Sequence, residues 1–114
     1  MQTVGIDIGT TTISGVVLEK NGTQKPRILK AKTIENGSFL TTTKDWERIQ
    51  DAEKIVKKSR QMLDDFLDEY PEVEKIGLTG QMHGIVYIDK EGKCVSPLYT
   101  WEDARGSLCE ENNG

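Results

Sequence analysis

Between Val4 and Leu18 the chain can do little other than form a β-hairpin. Val4, Ile6 and Ile8 are apolar with small or polar partners between them, and Ile13 to Leu18 is a second, β-branched run. The residues that join the runs, Gly9-Thr10-Thr11-Thr12, are too few for a crossover, so the two strands must be antiparallel. The second strand stops at a turn signal, Glu19-Lys20-Asn21-Gly22, and Arg27 to Ile34 reads as a third strand, giving a meander. From Glu35 to Ile49 the pattern dissolves into Gly, Ser, Thr and charge. That stretch reads as a loop, anchored in part by Phe39, Leu40 and Trp46.

From Asp51 the periodicity changes. Ala52, Ile55, Val56, Met62, Leu63, Phe66, Leu67 and Tyr70 recur at three-and-four spacing, which puts them on one face of a helix. Asp51 can cap that helix, Glu53 suits its positive first turn, and Pro71 stops it. The cations Lys54, Lys57, Lys58 and Arg60 read as its solvated face. Lys75 to Thr79 is then a short strand, and the order β-β-β-α-β sets it beside the first strand through a helical crossover. Ile85 to Asp89 and Lys93 to Leu98 read as a second hairpin around Lys90-Glu91-Gly92, and the tail from Ser107 to Gly114 shows no closing element. The fold class is α/β, with a mixed sheet, a hairpin start and a crossover helix.

At 114 residues the chain is long enough for one compact core and short for two. A composition of 35% hydrophobic and 30% charged residues describes a globular protein, neither disordered nor membrane-embedded. The net charge of -4 and the lack of a basic block argue against nucleic acid as the main partner. The start Met1-Gln2-Thr3-Val4 has no basic region before an apolar one, and no run approaches the roughly 20 apolar residues that span a bilayer. The expected location is therefore cytoplasmic, with no membrane partner. Cys94 and Cys109 lack metal-ligand spacing and read as idle or buried thiols. Asn21-Gly22-Thr23 and Asn36-Gly37-Ser38 match the glycosylation sequon but read as turns.

The first chemistry-bearing segment is Gly5-Ile6-Asp7-Ile8-Gly9-Thr10-Thr11-Thr12. An acidic residue near the end of a buried strand, followed by a Gly turn and hydroxyls, suits a phosphate cradle. Gly9 lets backbone N–H groups approach phosphate oxygens, Thr10, Thr11 and Thr12 can donate hydrogen bonds, and Asp7 can hold Mg²⁺ directly or through water. The pattern is neither a Walker A loop nor GxGxxG. On the turn alone, a plain hairpin whose Asp caps the Gly-Thr backbone fits equally well.

The same segment resembles the first phosphate motif of the sugar-kinase, Hsp70 and actin superfamily, in which a β-hairpin grips the ATP phosphates. Two further segments, Gly80-Gln81-Met82-His83-Gly84 and Pro97-Leu98-Tyr99-Thr100-Trp101-Glu102-Asp103-Ala104-Arg105, resemble those of FGGY carbohydrate kinases, especially the xylulokinase and sedoheptulokinase branch. The resemblance runs from Gly5 to Arg105. It implies a partial ribonuclease H-like domain of the actin/hexokinase/Hsp70 type, with ATP and Mg²⁺ as cofactors. It also implies that residues 1–114 are part of an N-terminal kinase domain whose C-terminal partner domain is absent.

By the same resemblance Gln81, Met82, His83, Trp101, Asp103 and Arg105 contact a sugar or shape its pocket. Sugars are held by a flat apolar surface and a few directed hydrogen bonds, which these residues supply. All but Gln81 also have a plainer reading: a satisfied core histidine for His83, core packing for Met82 and Trp101, a surface ion pair for Asp103 and Arg105. No residue here is assigned as catalytic, because the family's general base is an Asp that lies downstream, as do its adenosine-binding elements. The implied activity is phosphorylation of a ketose such as xylulose or sedoheptulose, with gluconate or another sugar acid as the alternative. Glycerol is disfavoured, since glycerol kinases resemble an Arg-Glu motif at the pocket position. A short non-catalytic nucleotide- or sugar-binding module is a further alternative, distinguished by whether the reading frame continues past Gly114. As a free piece the domain is expected to expose a sheet face or edge, and so to be marginally stable or to self-associate as a homo-oligomer.

Overall fold

The structure is a computed structural model describing residues 1–108. Cys109 and the rest of the tail lie outside the described residues. In chain order the elements are β1 (Gln2–Ile8), β2 (Thr12–Glu19), β3 (Arg27–Glu35), β4 (Ile49–Gln50), α1 (Ala52–Glu69), β5 (Val73–Gly80), β6 (Leu98–Tyr99) and a 3-10 turn over Arg105–Leu108. Ser107 and Leu108, the start of the tail, fall within that turn. Two compact units divide the chain, one of Met1–Gly37 with Ile55–Gln81 and one of Ser38–Lys54 with Met82–Gly114.

The first unit is the expected mixed sheet. Its strand order is β3-β2-β1-β5, with β1 antiparallel to β2, β2 antiparallel to β3, and β1 parallel to β5 after the helical crossover. Period-2 alternation sends Val4, Ile6, Ile13 and Val17 to one face, where they are buried with Met62 and Phe66 of α1. Each such side chain contributes roughly 1.5–3 kcal/mol by leaving water. Gly15 lies on that face, and a Cβ there would sit 2.5 Å from Cε2 of Phe66 and 2.7 Å from Sδ of Met62. Glycine is required because the helix crosses β2 at this point.

Asp51 caps α1 as expected, its Oδ1 accepting the Lys54 N–H at 3.2 Å. The Tyr70 N–H still reaches the Phe66 carbonyl at 2.7 Å before Pro71 ends the helix. The buried stripe is Ile55, Ser59, Met62 and Phe66. Val56 departs from expectation and is 54% exposed, because one residue of helical rotation carries it about 100° off the stripe. Lys58 is a second correction to the solvated cationic face. Its ammonium donates to the carbonyls of Glu35 at 3.0 Å and Asn36 at 2.7 Å. On β5, Ile76 and Leu78 pair in register with the buried Val4 and Ile6 yet are 47% and 69% exposed. The anticipated exposed edge is there.

In the second unit β4 and β6 pair antiparallel, Ile49 opposite Tyr99 and Gln50 opposite Leu98. The expected second hairpin forms around Lys90-Glu91-Gly92, with irregular arms. Asp89 Oδ1 accepts the N–H groups of Glu91 and Lys93, Gly92 takes φ +83°, and the Asp89 N–H reaches the Lys93 carbonyl at 2.9 Å. Beyond the turn Ile88 bridges Cys94, and the Val95 N–H donates to the Tyr87 carbonyl. The Tyr87 N–H goes to the Ser96 hydroxyl instead of a ladder carbonyl, and Pro97 has no N–H to give. Pairing resumes where Ile85 and Tyr99 exchange N–H···O=C bonds of 3.0 and 2.8 Å, so Tyr99 joins this hairpin to the small sheet. The loop before β4 is tied by backbone, Phe39 bridging to Gln50 and the Leu40 N–H reaching Ile49 at 3.0 Å. Phe39 and Leu40 themselves remain exposed. Among the described residues no helix is long and apolar enough to cross a membrane.

Candidate functional site

The first unit holds the Gly9–Thr12 turn at the end of the β1–β2 hairpin. The Gly9 N–H donates to the Thr12 carbonyl at 2.9 Å, so it is used inside the turn. A Cβ on Gly9 would lie 2.9 Å from that same oxygen, which only glycine avoids. Thr10 donates its hydroxyl to Oε1 of Gln81 at 3.0 Å, while the Gln81 N–H donates to the Ile8 carbonyl at 2.9 Å. Gln81 therefore lies with the turn and buttresses it. Asp7 is exposed on the sheet face opposite the core, its register partners being Ser14 and Thr79. Next to it Gly5 and Gly77 pair without side chains, flooring a shallow depression of about 550 Å³.

Mg²⁺ and a nucleotide are compatible with this donor set. Among the described residues no group of three His, Cys, Asp or Glu could cage a cation. One exposed carboxylate beside a hydroxyl-rich turn fits Mg²⁺, which keeps most of its waters and takes phosphate oxygens as ligands. Sequence reasoning placed Asn36 in a turn but gave it no role at this site. Its Nδ2 donates to the Gly9 carbonyl at 2.7 Å and its N–H to the Thr11 carbonyl at 2.8 Å. Its side chain is fully buried, so the sequon it begins is a structural turn, with Gly37 at φ +59°. The only sequence signal was the Asn-Gly pair after an apolar strand.

The second unit contains a cavity of about 430 Å³ lined by His83, Tyr87, Tyr99, Trp101, Asp103 and Arg105, among others. Four of the six residues assigned to sugar contact share it. Met82 is 68% exposed and is not among its lining residues. His83 stands at φ +61°, a left-handed backbone that costs a non-glycine residue roughly 1 kcal/mol or more. The following Gly84 lets the chain press against β6, since a Cβ there would meet Leu98 Cδ1 at 3.1 Å.

Asp103 and Arg105 are bound to each other and to the loop before β4. Arg105 Nε donates to Asp103 Oδ1 at 2.8 Å, and its terminal nitrogen to Asp103 Oδ2 at 3.1 Å and to Glu47 Oε2 at 2.7 Å. The guanidinium lies 4.2 Å from the Tyr99 ring centroid and 5.3 Å from that of Trp46. Asp103 also accepts the backbone N–H groups of Arg48 at 2.9 Å and Arg105 at 3.1 Å. The Arg105 guanidinium, with help from those two N–H groups, overcomes desolvation and holds the Asp103 carboxyl down at about 2. Arg105 is in turn pushed above its ordinary range by Asp103 and Glu47. Glu47 is lowered, first by the Thr42 hydroxyl and then by Arg105. Sequence reasoning missed Glu47 and Trp46 as partners here, because they lie more than fifty residues from Arg105 in a stretch without periodicity.

Residues 2–112 match the family model described as the FGGY family of carbohydrate kinases, N-terminal domain, and the chain belongs to that family. It is 31% identical over 109 residues to a xylulose kinase of Staphylococcus xylosus, covering 91% of this chain and 21% of that protein. It is 28% identical over 123 residues to a sedoheptulokinase of Mus musculus, covering 90% of this chain and 26% of that one. The chain thus spans about a fifth to a quarter of the length of these curated relatives. A crystal structure of a gluconate kinase from Lactobacillus acidophilus shares the fold, with a TM-score of 0.78 at 21% identity over 98% of this chain and 22% of that one. The α/β fold expected from the sequence, of the actin and hexokinase type, is therefore the fold observed.

Proposed function

We propose that the protein to which this chain contributes an N-terminal domain transfers the γ-phosphoryl group of ATP to a hydroxyl of a neutral ketose of the xylulose or sedoheptulose kind. Kinship to a xylulose kinase and a sedoheptulokinase supports the class. The observation that carries the choice of a neutral sugar is the state of Arg105. Its guanidinium is engaged by two carboxylates, Asp103 and Glu47, and so offers no unpaired charge to a substrate carboxylate. A sugar acid, the alternative substrate class, would meet two anions around one cation there.

In this reading the cavity of the second unit holds the sugar, with His83 and Trp101 as direct contacts. Asp103 positions Arg105, since its oxygens already accept four hydrogen bonds. At the Gly9–Thr12 turn Thr10, Thr11 and Thr12 face the phosphates, and Asp7 orders the waters of Mg²⁺. Bound there, Mg²⁺ and ATP supply the phosphoryl group and offset the charge that builds on its oxygens. The acceptor hydroxyl must lose a proton as its oxygen attacks, and that role falls to no residue assigned here.

The test uses His83 in the full-length protein. At φ +61° glycine is the better backbone residue, so His83→Gly should leave the melting temperature unchanged or raise it. If the imidazole pairs with a sugar hydroxyl, the same change should lower kcat/KM for the preferred ketose by roughly tenfold or more. The loss should shrink on the deoxy-sugar lacking that hydroxyl. Equal losses on every sugar tested would return His83 to a structural role. Higher kcat/KM on gluconate than on any ketose would overturn the neutral-sugar reading.

A further inference from the structure

Two carbonyls flank Thr10 at the tip of the hairpin, those of Gly9 and Thr11, and a single buried residue takes both. Asn36 donates its side-chain amide to Gly9 and its backbone N–H to Thr11, at 2.7 and 2.8 Å. A trans peptide points its N–H opposite its C=O, and the described chain has no cis peptide. Fixing the Gly9 carbonyl on Asn36 therefore turns the Thr10 N–H away from Asn36. Asn36 is held in its turn. The Lys58 ammonium, reaching from α1, donates to the carbonyls of Asn36 and Glu35 at 2.7 and 3.0 Å. The arm packs across Gly37, where a Cβ would lie 3.3 Å from Nζ. Helix, loop and hairpin tip thus form one hydrogen-bonded chain within the first unit.

We propose that Asn36, braced by Lys58, is a positioning residue for the nucleotide phosphates. It sets the orientation of the Gly9–Thr12 backbone before the nucleotide arrives, without touching the nucleotide itself. The proposal rests on the reading of that turn as the phosphate grip. A preorganised turn binds an anion without first spending free energy on ordering its peptides. The cation supports the turn through carbonyl groups, so its charge is already engaged and is not a phosphate ligand.

The experiment compares four variants of the full-length kinase, with MgATP and the preferred ketose as probes. Asn36→Ala should lower kcat/KM for MgATP by roughly tenfold, since one hydrogen bond to a part-buried carbonyl is lost, while the sugar Kd measured without nucleotide stays within about twofold. Asn36→Asp, which keeps the shape but cannot donate to the Gly9 carbonyl, should fail to rescue. Lys58→Met keeps the aliphatic arm and should move the same MgATP parameter in the same direction by roughly threefold. Gly9→Ala, which strikes the turn directly, serves as the control for the underlying reading. Loss on Gly9→Ala with no MgATP effect in Asn36→Ala or Lys58→Met would overturn the positioning role and leave the phosphate grip standing. No MgATP effect from Gly9→Ala would overturn both. Equal losses in MgATP and sugar affinity from Asn36→Ala would reduce Asn36 to a fold residue. Should Asn36→Ala not fold, a folded Lys58→Met with unchanged MgATP kinetics is itself disproof.

Discussion

The two compact units are held by different physics. In the first, six apolar side chains, Val4, Ile6, Ile13, Val17, Met62 and Phe66, form a buried cluster between sheet and helix. In the second, the buried residues among those described are Ser38, Gln50 and Thr100, all polar, while Ile85, Tyr87, Ile88, Val95 and Trp101 stay exposed. There the backbone of Arg48 does much of the tying. Its carbonyl accepts the Thr100 N–H at 3.0 Å and the Thr100 hydroxyl at 2.9 Å, and its N–H donates to Asp103. Apolar burial is non-directional and tolerates approximation; a hydrogen-bonded network needs each partner in place. The first unit should accordingly fail when volume is removed, and the second when a single polar atom is.

The largest expected effect lies in the first unit. Phe66 is fully packed against the sheet and touches the glycine gap at position 15. Phe66→Ala should destabilise by about 3–5 kcal/mol, from lost transfer energy and the cavity left behind. Thermal or denaturant unfolding measures this. A loss below about 1 kcal/mol would mean that the sheet–helix core is not the main source of stability.

Periodicity explains why the first unit was more legible in the sequence than the second. Val4-x-Ile6-x-Ile8, the Gly9–Thr12 turn and the α1 stripe each leave a repeating pattern, and the observed strands and helix follow them. Val56 failed because a two-wide apolar pair straddles the stripe edge. Lys58 failed because its aliphatic arm carries the charge to carbonyls that no pattern announces. In the second unit Asp103 and Arg105 drew notice by resemblance, but Glu47, Trp46 and the N–H of Arg48 are joined to them by long-range hydrogen bonds and ring contacts without any repeat. The hairpin expected over Ile85–Leu98 alternated well enough in apolar character. It formed, but Ser96 and Pro97 interrupt its ladder between the Ile88–Cys94 and Ile85–Tyr99 bridges.

An intermediate effect belongs to Asp103 and reads out with pH. Its folded carboxyl titrates at about 2 against an ordinary 3.8, so the unfolded chain takes up the proton first. The stabilisation is fully present above pH 4 and is lost as pH falls toward 2. With the carboxylate 3% and the Arg105 side chain 38% exposed, solvent screening leaves this at about 1–2 kcal/mol. Hydrogen exchange at residues 82–106 should accelerate across that window more than exchange in β1 and β2. Asp103→Asn should abolish the difference while weakening the unit at neutral pH. If β1 and β2 loosen in step with the second unit, the two do not respond separately and the contrast between them fails.

The smallest expected effect sharpens the comparison from the other side. Ile88 is 59% exposed in the second unit, and its bridge to Cys94 is made by backbone. If the unit is organised by polar contacts, Ile88→Thr removes little buried apolar surface. The β-branched shape suited to an extended backbone is kept. Stability should change by no more than about 0.5 kcal/mol, within the usual range for surface substitutions. The measurement is the shift in unfolding midpoint of the full-length protein at constant slope, so that a change in the denatured state is recognised as such. A loss above about 1.5 kcal/mol would require that Ile88 is covered there, since only buried apolar area yields a penalty of that size. The exposed side chains of the second unit would then be half of an interface, and its polar organisation a property of this chain alone.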